Sequence, residues 1–266
     1  MPRVLSMFRL ANINIVRDHR SILSIDSLNI PTTELTVVLG HNGSGKSTLV
    51  NLLSGQMAPD SGQIDLNGTS LSQYKTKELA QKIAYLPQKL PASAGLSVKE
   101  LVRLGRFPWR GALGRWQADD EIIIQQAMEK AGVEGFSANL ADNLSGGERQ
   151  RAWVAMLLAQ QSPVLILDEP TSALDIHHQY QLMNLLSELN KVHGIGVIVI
   201  LHDLNLSLRY ATHIVALKKG KIEFEGKSVL LHDEARLSSL YDTPIKLIPH
   251  PNFPESEHHR VAIVCA

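Results

Sequence analysis

Apolar residues recur along this chain at two spacings, and the change from one to the other divides it. In "FRLANINIV" and "SILSIDSLNI" they alternate with polar residues, the period-two pattern of strands with one face buried. "LTVVLG" ends this opening region as a buried strand, and a helix follows from Lys46 to Leu53, stopped at Gly55. "SGQIDLNG" reads as a strand between turn signals and "KIAYLPQ" as another, halted by Pro87. From about Lys89 to Gln161 the strand pattern vanishes. Helical periodicity replaces it in "SVKELVRLGR", "DDEIIIQQAMEKAG" and "QRAWVAMLLAQ", interrupted by the turn-rich "FPWRGALGRW". Strands return in "VLILDE" and "VIVILHD", continuous apolar runs of the kind found where parallel strands are buried on both faces. The helix "DIHHQYQLMNLLSELNKV" between them completes a βαβ unit, and "HIVALKKGKIEFEG" reads as a closing hairpin. The pattern predicts an α/β core with a helical insertion near residues 89–161.

Composition changes this picture little. With 266 residues the chain is long for one average domain and short for two. Its 26 basic residues balance 26 acidic ones, so no global field favours nucleic acid or an anionic membrane surface. The single cysteine, Cys265, rules out a disulfide framework within the chain and fits a reducing compartment. No window approaches the ~18 consecutive apolar residues of a membrane span. "VLSMFRLANINIV" is interrupted by Arg9 and lacks a small-residue cleavage site, so it is not read as a secretory signal. These features predict a soluble, cytoplasmic protein. The final "NFPESEHHRVAIVCA" carries no pattern that predicts a role.

Candidate chemistry lies at the junctions between elements. "GHNGSGKS", Gly40 to Ser47, fits G-x-x-x-x-G-K-[ST] and joins a hydrophobic strand to a helix. Average residue frequencies produce this pattern in roughly one chain in a hundred of this length, so the context carries the assignment. In such a loop the glycines let backbone amides close round phosphates, the lysine (Lys46) reaches the β- and γ-phosphates, and the hydroxyl (Ser47) faces Mg²⁺. Asp168 and Glu169 end the apolar run "VLILDE", where α/β sheets bind ligands. Two carboxylates there are costly to bury without a cation, and Mg²⁺ supplies one. Asp168 is the candidate for its ligand shell and Glu169 for accepting a proton from an attacking water. His202 ends "VIVILHD" and Gln88 ends "KIAYLPQ", a candidate γ-phosphate sensor and a candidate reporter of nucleotide state. His177 and His178, adjacent on a helix, do not share a face and read as surface or interface residues. "LSGGERQ" opens a second helix with a glycine pair. Ser145 is its N-cap and Glu148 completes a capping box, so it too offers amides and a positive dipole end to an anion.

"GHNGSGKST", "YLPQ", "LSGGERQR", "LILDEPTSALD" and "ILHD", in this order, resemble the ATP-binding subunits of ABC transporters over about Phe8 to Gly226. The resemblance implies an α/β fold with a P-loop NTPase (RecA-like) core, an N-terminal antiparallel β subdomain and an inserted α-helical subdomain. Residues 8–88 and 162–226 would form the ATP-binding core, 89–161 the helical subdomain, and 227–266 a C-terminal helix and tail. It implies ATP and Mg²⁺ as ligands, with Gly40, His41, Asn42, Gly43, Ser44, Gly45, Lys46, Ser47 and Thr48 at the nucleotide. Ser47, Gln88 and Asp168 would hold Mg²⁺, and Lys46, Gln88, Glu169 and His202 would serve hydrolysis. It further implies a head-to-tail pair of two copies. Ser145 and Gly147 of each would act on the partner's ATP, and Asp175 of "SALD" would link the two sites. The family often stacks adenine on an aromatic residue about two dozen positions before the P-loop, but here "NIVRDHR" has none; Arg17 is the candidate for stacking and Val16 for packing.

Other families fit less well. A P-loop kinase has no use for "LSGGERQ", and ABC proteins of DNA repair or translation usually carry two nucleotide domains or a long coiled coil. The expected role is therefore an importer ATPase at the cytoplasmic face of the inner membrane. It would work with a polytopic permease and, indirectly, a substrate-binding protein, and with no nucleic acid. "LVRLGRFPWRGALGRW" resembles importers of iron–siderophore complexes, haem and vitamin B12; "GRFPWRGALGRW" and "LIPHP" most resemble the ATPase for ferric hydroxamates. The plainer reading of that stretch is a surface loop with buried aromatics. Residues 89–116 are the candidate groove for the permease's coupling helix.

Overall fold

A computed structural model describes residues 6–111, 114–252 and 260–265. The chain begins with strands β1 (Met7–Arg17), β2 (Arg20–Pro31) and β3 (Leu35–Leu39), helix α1 (Lys46–Leu53), and strands β4 (Ser61–Leu66) and β5 (Thr69–Ser70). Helix α2 (Thr76–Ala80) and strand β6 (Ile83–Leu86) precede helices α3 (Val98–Leu104), α4 (Phe107–Arg110), α5 (Ala118–Lys130) and α6 (Gly146–Ala159). Then come β7 (Val164–Leu167), α7 (Ile176–Lys191), β8 (Gly196–Ile200), α8 (Leu204–Tyr210), β9 (His213–Lys218) and β10 (Lys221–Lys227). The chain closes with α9 (Glu234–Tyr241), β11 (Ile245–Pro249) and β12 (Arg260–Val264).

Two compact units divide these elements, one formed by residues 1–73 and 196–266, the other by residues 74–195. In the first, β2, β1, β4 and β5 make an antiparallel sheet in that order. Alternation along β1 and β2 buries Phe8, Leu10, Ile13 and Ile15 against Leu23, Ile25, Leu28 and Ile30, the one-sided burial that the period-two pattern predicts. Strand β3 runs parallel to β8 on one side and β9 on the other, and β10 folds back on β9 as a hairpin. Every residue of β3 and β8 is buried, as expected of parallel strands covered on both faces.

In the second unit β6 and β7 pair in parallel, and α3, α5 and α6 pack on one another through Leu101, Val102, Ile124, Met128 and Val154. Gly105 lies under α6: a Cβ there would stand 2.1 Å from the Met156 carbonyl oxygen. The end of the chain departs from a patternless tail, because Arg260–Val264 pairs with Ile245–Pro249 in antiparallel register. Its unpatterned residues are held by side chains rather than by a buried face. Asn205 of α8 bonds both backbone groups of Ala262, and Glu234 accepts from the Leu247 amide. Residues 253–259 of the tail lie outside the described residues.

Candidate nucleotide site

In the first unit the chain leaves buried β3 at Leu39 and enters α1 at Lys46 through the glycine loop. Gly40 has φ 142°, and a Cβ on it would stand 2.2 Å from the Leu217 carbonyl oxygen of β9, so no side chain fits. The loop is tied at its far side by the Gly220 amide, which donates to the Ser44 carbonyl at 3.1 Å. Gly45 caps α1 in the left-handed conformation with no side-chain cap bond, and no acidic residue stands in the first turn. No side-chain cap or acidic residue therefore offsets the positive end of this helix. Lys46 is buried, and its Nζ donates to the carbonyls of Gly40 and His41, each at 2.9 Å. The buried Ser44 hydroxyl has no hydrogen-bond partner. An orphaned hydroxyl, a buried ammonium and a helix start with no acid of its own on one loop fit a polyphosphate. His41, Asn42 and Gly43 are exposed, and Ser47 and Thr48 half-buried.

Two more predicted residues belong to this unit. Exposed His202 lies two residues past β8, after buried Leu201, and Asp203 caps α8 by accepting from the amides of Asn205 and Leu206. Arg17 stands at the β1–β2 turn, where Asp18 and His19 take φ of 50° and 60°. Its guanidinium bonds both carboxylate oxygens of Asp60, at 3.0 and 3.1 Å, and the Val16 carbonyl. Hydrogen bonds from the Val16 amide and from Arg17 hold the Asp60 carboxyl below its usual range.

In the second unit Asp168 follows four buried residues of β7 and is itself only 5% exposed. Its amide donates to the Leu86 carbonyl of β6 at 2.9 Å. Burial, reinforced by the Asp168 charge, pushes the neighbouring Tyr85 hydroxyl up to about 12. Glu169 adopts φ 48°, a left-handed conformation uncommon for a residue with a side chain and frequent at functional sites. Ser172 closes the turn after it, donating from both amide and hydroxyl to the Glu169 carbonyl. Gln88 Nε2 donates to Glu169 Oε2 at 2.5 Å, so the glutamine and the candidate base, far apart in sequence, meet here. A nearly buried carboxylate at Asp168 suits a divalent cation's ligand shell.

The same unit carries the second glycine-bearing helix start. Ser145 caps α6 through the Glu148 amide, and the Glu148 carboxylate returns to the Ser145 amide at 2.9 Å and hydroxyl at 2.7 Å. Those two bonds hold the Glu148 carboxyl below its usual range. A Cβ on Gly147 would stand 2.2 Å from the His178 ring, and that ring is held by Asp175, whose Oδ1 lies 2.8 Å from Nδ1. Asp175 also caps α7 through the His178 amide. Gly147, His178 and Asp175 thus form one packed set, so His178, read from the sequence as a surface or interface residue, packs against α6. Sequence spacing missed it, because the contact joins two helices rather than two turns of one.

The "GRFPWRGALGRW" stretch is anchored by charge. Asp120 of α5 is 1% exposed and accepts from Arg106 at 2.9 Å and Arg110 at 2.7 Å, while Arg106 also donates to the Ala159 carbonyl. Burial alone would raise the Asp120 carboxyl, but hydrogen bonds from Arg110, Gln117 and Arg106 bring it down to about 2. Trp109 Nε1 donates to the Gln160 carbonyl, yet Phe107, Trp109 and Trp116 stay 47, 38 and 44% exposed. Among the described residues of the loop the buried long side chain is therefore Arg106, with Arg110 half-buried, and not an aromatic. Ala112 and Leu113 lie outside the described residues.

Residues 23–172 match the family model described as ABC transporter. The chain belongs to the ABC transporter family. This ABC ATPase is 40% identical over 231 residues to the achromobactin transport ATP-binding protein of Dickeya dadantii, covering 86% of each chain. It is 38% identical over 225 residues to the iron(3+)-hydroxamate import ATP-binding protein of Bacillus subtilis, covering 85% of this chain and 84% of that one. Its structure matches the dimeric bacterial ABC transporter cassette MJ0796 with a TM-score of 0.71 at 30% identity, over 84% of this chain and 99% of the other. The fold is that of a P-loop NTPase, and the enzyme is an ATPase. Among the described residues no helix is long and apolar enough to cross a membrane.

Proposed function

We propose that this ABC ATPase energises uptake of an iron(III)–siderophore complex, of the hydroxamate class, through a separate permease. The observation that carries this reading is similarity at 38–40% identity, over about 85% of each chain, to ATP-binding subunits named for siderophore transport. Those two relatives serve different siderophores, so the hydroxamate class rests on the likeness of "GRFPWRGALGRW" and "LIPHP" to the hydroxamate type. Two copies would pair around two ATP molecules at the cytoplasmic face of the inner membrane, with a substrate-binding protein delivering cargo to the permease. The stretch 89–116, with Phe107, Trp109 and Trp116 exposed, is the surface assigned to the permease.

The residue roles in this reading are those that the resemblance to ABC transporter ATP-binding subunits implies. Residues 40–48 bind the phosphates, Lys46 as the fixed charge and Ser44 through its orphaned hydroxyl. Ser47, Gln88 and Asp168 hold Mg²⁺, which when bound neutralises charge on the β- and γ-phosphates. Glu169 takes the proton of the attacking water, with Gln88 fixing one carboxylate oxygen and the left-handed turn fixing its backbone. His202 senses the γ-phosphate, and Arg17, its guanidinium plane locked by Asp60, faces the base. Ser145 and Gly147 serve the partner's ATP, and Asp175, which holds the His178 ring beside Gly147, links the two sites. Residues 8–88 and 162–226 act as the ATP-binding core and 89–161 as the helical subdomain.

The test is transport in cells lacking the gene, complemented with wild type or Glu169→Gln and given labelled iron as a ferric hydroxamate, with haem and vitamin B12 as parallel cargoes. Loss of hydroxamate uptake alone, restored only by wild type, is the expected result. Normal entry of ferric hydroxamate in the deletion strain would refute the assignment, and a defect confined to haem would move it to that cargo.

A further inference from the structure

The C-terminal segment reaches the phosphate loop, and the site roles assigned above do not use it. Tyr241 ends α9, and its ring packs edge-on against His41, the second residue of the loop, with centroids 5.5 Å apart at 68°. Asp242 then turns the chain at φ 49°, placing Oδ2 3.9 Å from His41 Nε2. Its other oxygen binds Lys218 Nζ at 2.7 Å, and Lys218 also donates to the Ser239 carbonyl, so the helix end is pinned to β9. Hydrogen bonding from Lys218, with His41 and Lys219 adding charge, holds the Asp242 carboxyl below its usual range.

His41 matters to the lysine. Its carbonyl is one of the two that receive Lys46 Nζ, so fixing the His41 ring fixes an acceptor of the phosphate-binding ammonium. The same segment feels the charge next to the candidate sensor. The Tyr241 hydroxyl is shielded from solvent without a hydrogen-bond partner, and burial together with the charge of Asp203, the residue after His202, pushes it up to about 12. Asn205, two residues further on, clamps β12 through both backbone groups of Ala262. The C-terminal segment thus meets the loop that carries Lys46 through the end of α9, and meets α8 through β12, all within the first unit.

We propose that Tyr241 and Asp242 are positioning residues for ATP, holding His41 and, through its carbonyl, Lys46 in the conformation that receives the phosphates. This rests on the assignment of residues 40–48 to ATP. An edge-on ring pair contributes about two- to tenfold in an equilibrium constant, which sets the size of the expected effect.

The test is a double-mutant cycle on ATP affinity, read with a fluorescent ATP analogue on the full-length chain: wild type, His41→Ala, Tyr241→Leu and the double variant. Each single change should weaken binding about three- to tenfold, and the double variant should bind no worse than the weaker single. Tyr241→Phe, which keeps the ring, should restore affinity to within about twofold of wild type. Wild-type affinity in Tyr241→Leu, or single effects that multiply in the double variant, overturns the proposal. Lys46→Ala is the control: if it leaves affinity unchanged, the ATP assignment itself fails. Should thermal melting show Tyr241→Leu unfolded, amide hydrogen exchange over residues 41–47 in nucleotide-free Asp242→Ala decides. Severalfold faster exchange supports the proposal, and unchanged exchange refutes it.

Discussion

The two glycine-bearing helix starts of this ABC ATPase look alike in sequence and differ in how their ends are satisfied. Helix α1 begins after Gly45 with no side-chain cap and no acid in its first turn. Helix α6 begins after Ser145 with a closed capping box, so a carboxylate, Glu148, already occupies its positive end. The capping box closes the Ser145 and Glu148 amides of the second, whereas no side chain caps the first. A helix start that holds its own carboxylate is stable without a nucleotide, which suits a motif assigned to the partner's ATP. A start left open is stabilised most when phosphate arrives.

That contrast can be broken at three points. The largest effect is expected at α1: Lys46→Ala should weaken ATP binding about 10- to 100-fold, the loss of a charge-assisted contact, as measured by nucleotide titration. An equal loss from a change at Ser145 in the isolated, monomeric chain would erase the distinction. Next, Gly147→Ala forces a methyl into the His178 ring and should cost about 1–3 kcal/mol in denaturant unfolding, most of it regained when His178→Ala is added. No regain would show that the glycine is needed for something other than this contact. The smallest effect is expected at the box: Ser145→Ala should cost about 1 kcal/mol of stability. Its pH dependence has a definite sign. Glu148 titrates lower folded than unfolded, so its contribution is complete above the ordinary glutamate value and is lost as pH falls below it. Melting curves for wild type and Ser145→Ala that converge toward acid pH are the expected result.

Much of this molecule is legible from its residues one stretch at a time. The capping box at Ser145 and Glu148, the span of α1, the buried β3, β7 and β8 and the β9–β10 hairpin all follow from local spacing. Other features escape because their cause is a partner distant in sequence. Arg106 and Asp120 look like surface charges, yet each is buried because the other is there. His178 looks like half of an exposed pair until α6 supplies Gly147 to cover it. Strand β12 has no alternating face and exists because Asn205 and β11 satisfy its backbone.

The division has a physical reason. Helix caps, glycine loops and strand burial patterns depend on interactions within a few residues, so the order of amino acids alone determined the α/β class, the glycine loop before α1 and the capped start of α6. Tertiary structure alone decided which distant groups meet: Gln88 with Glu169, Gly147 with His178, and Tyr241 with His41. Those contacts carry no local period, because each is set by how whole elements pack and not by the spacing within any one of them.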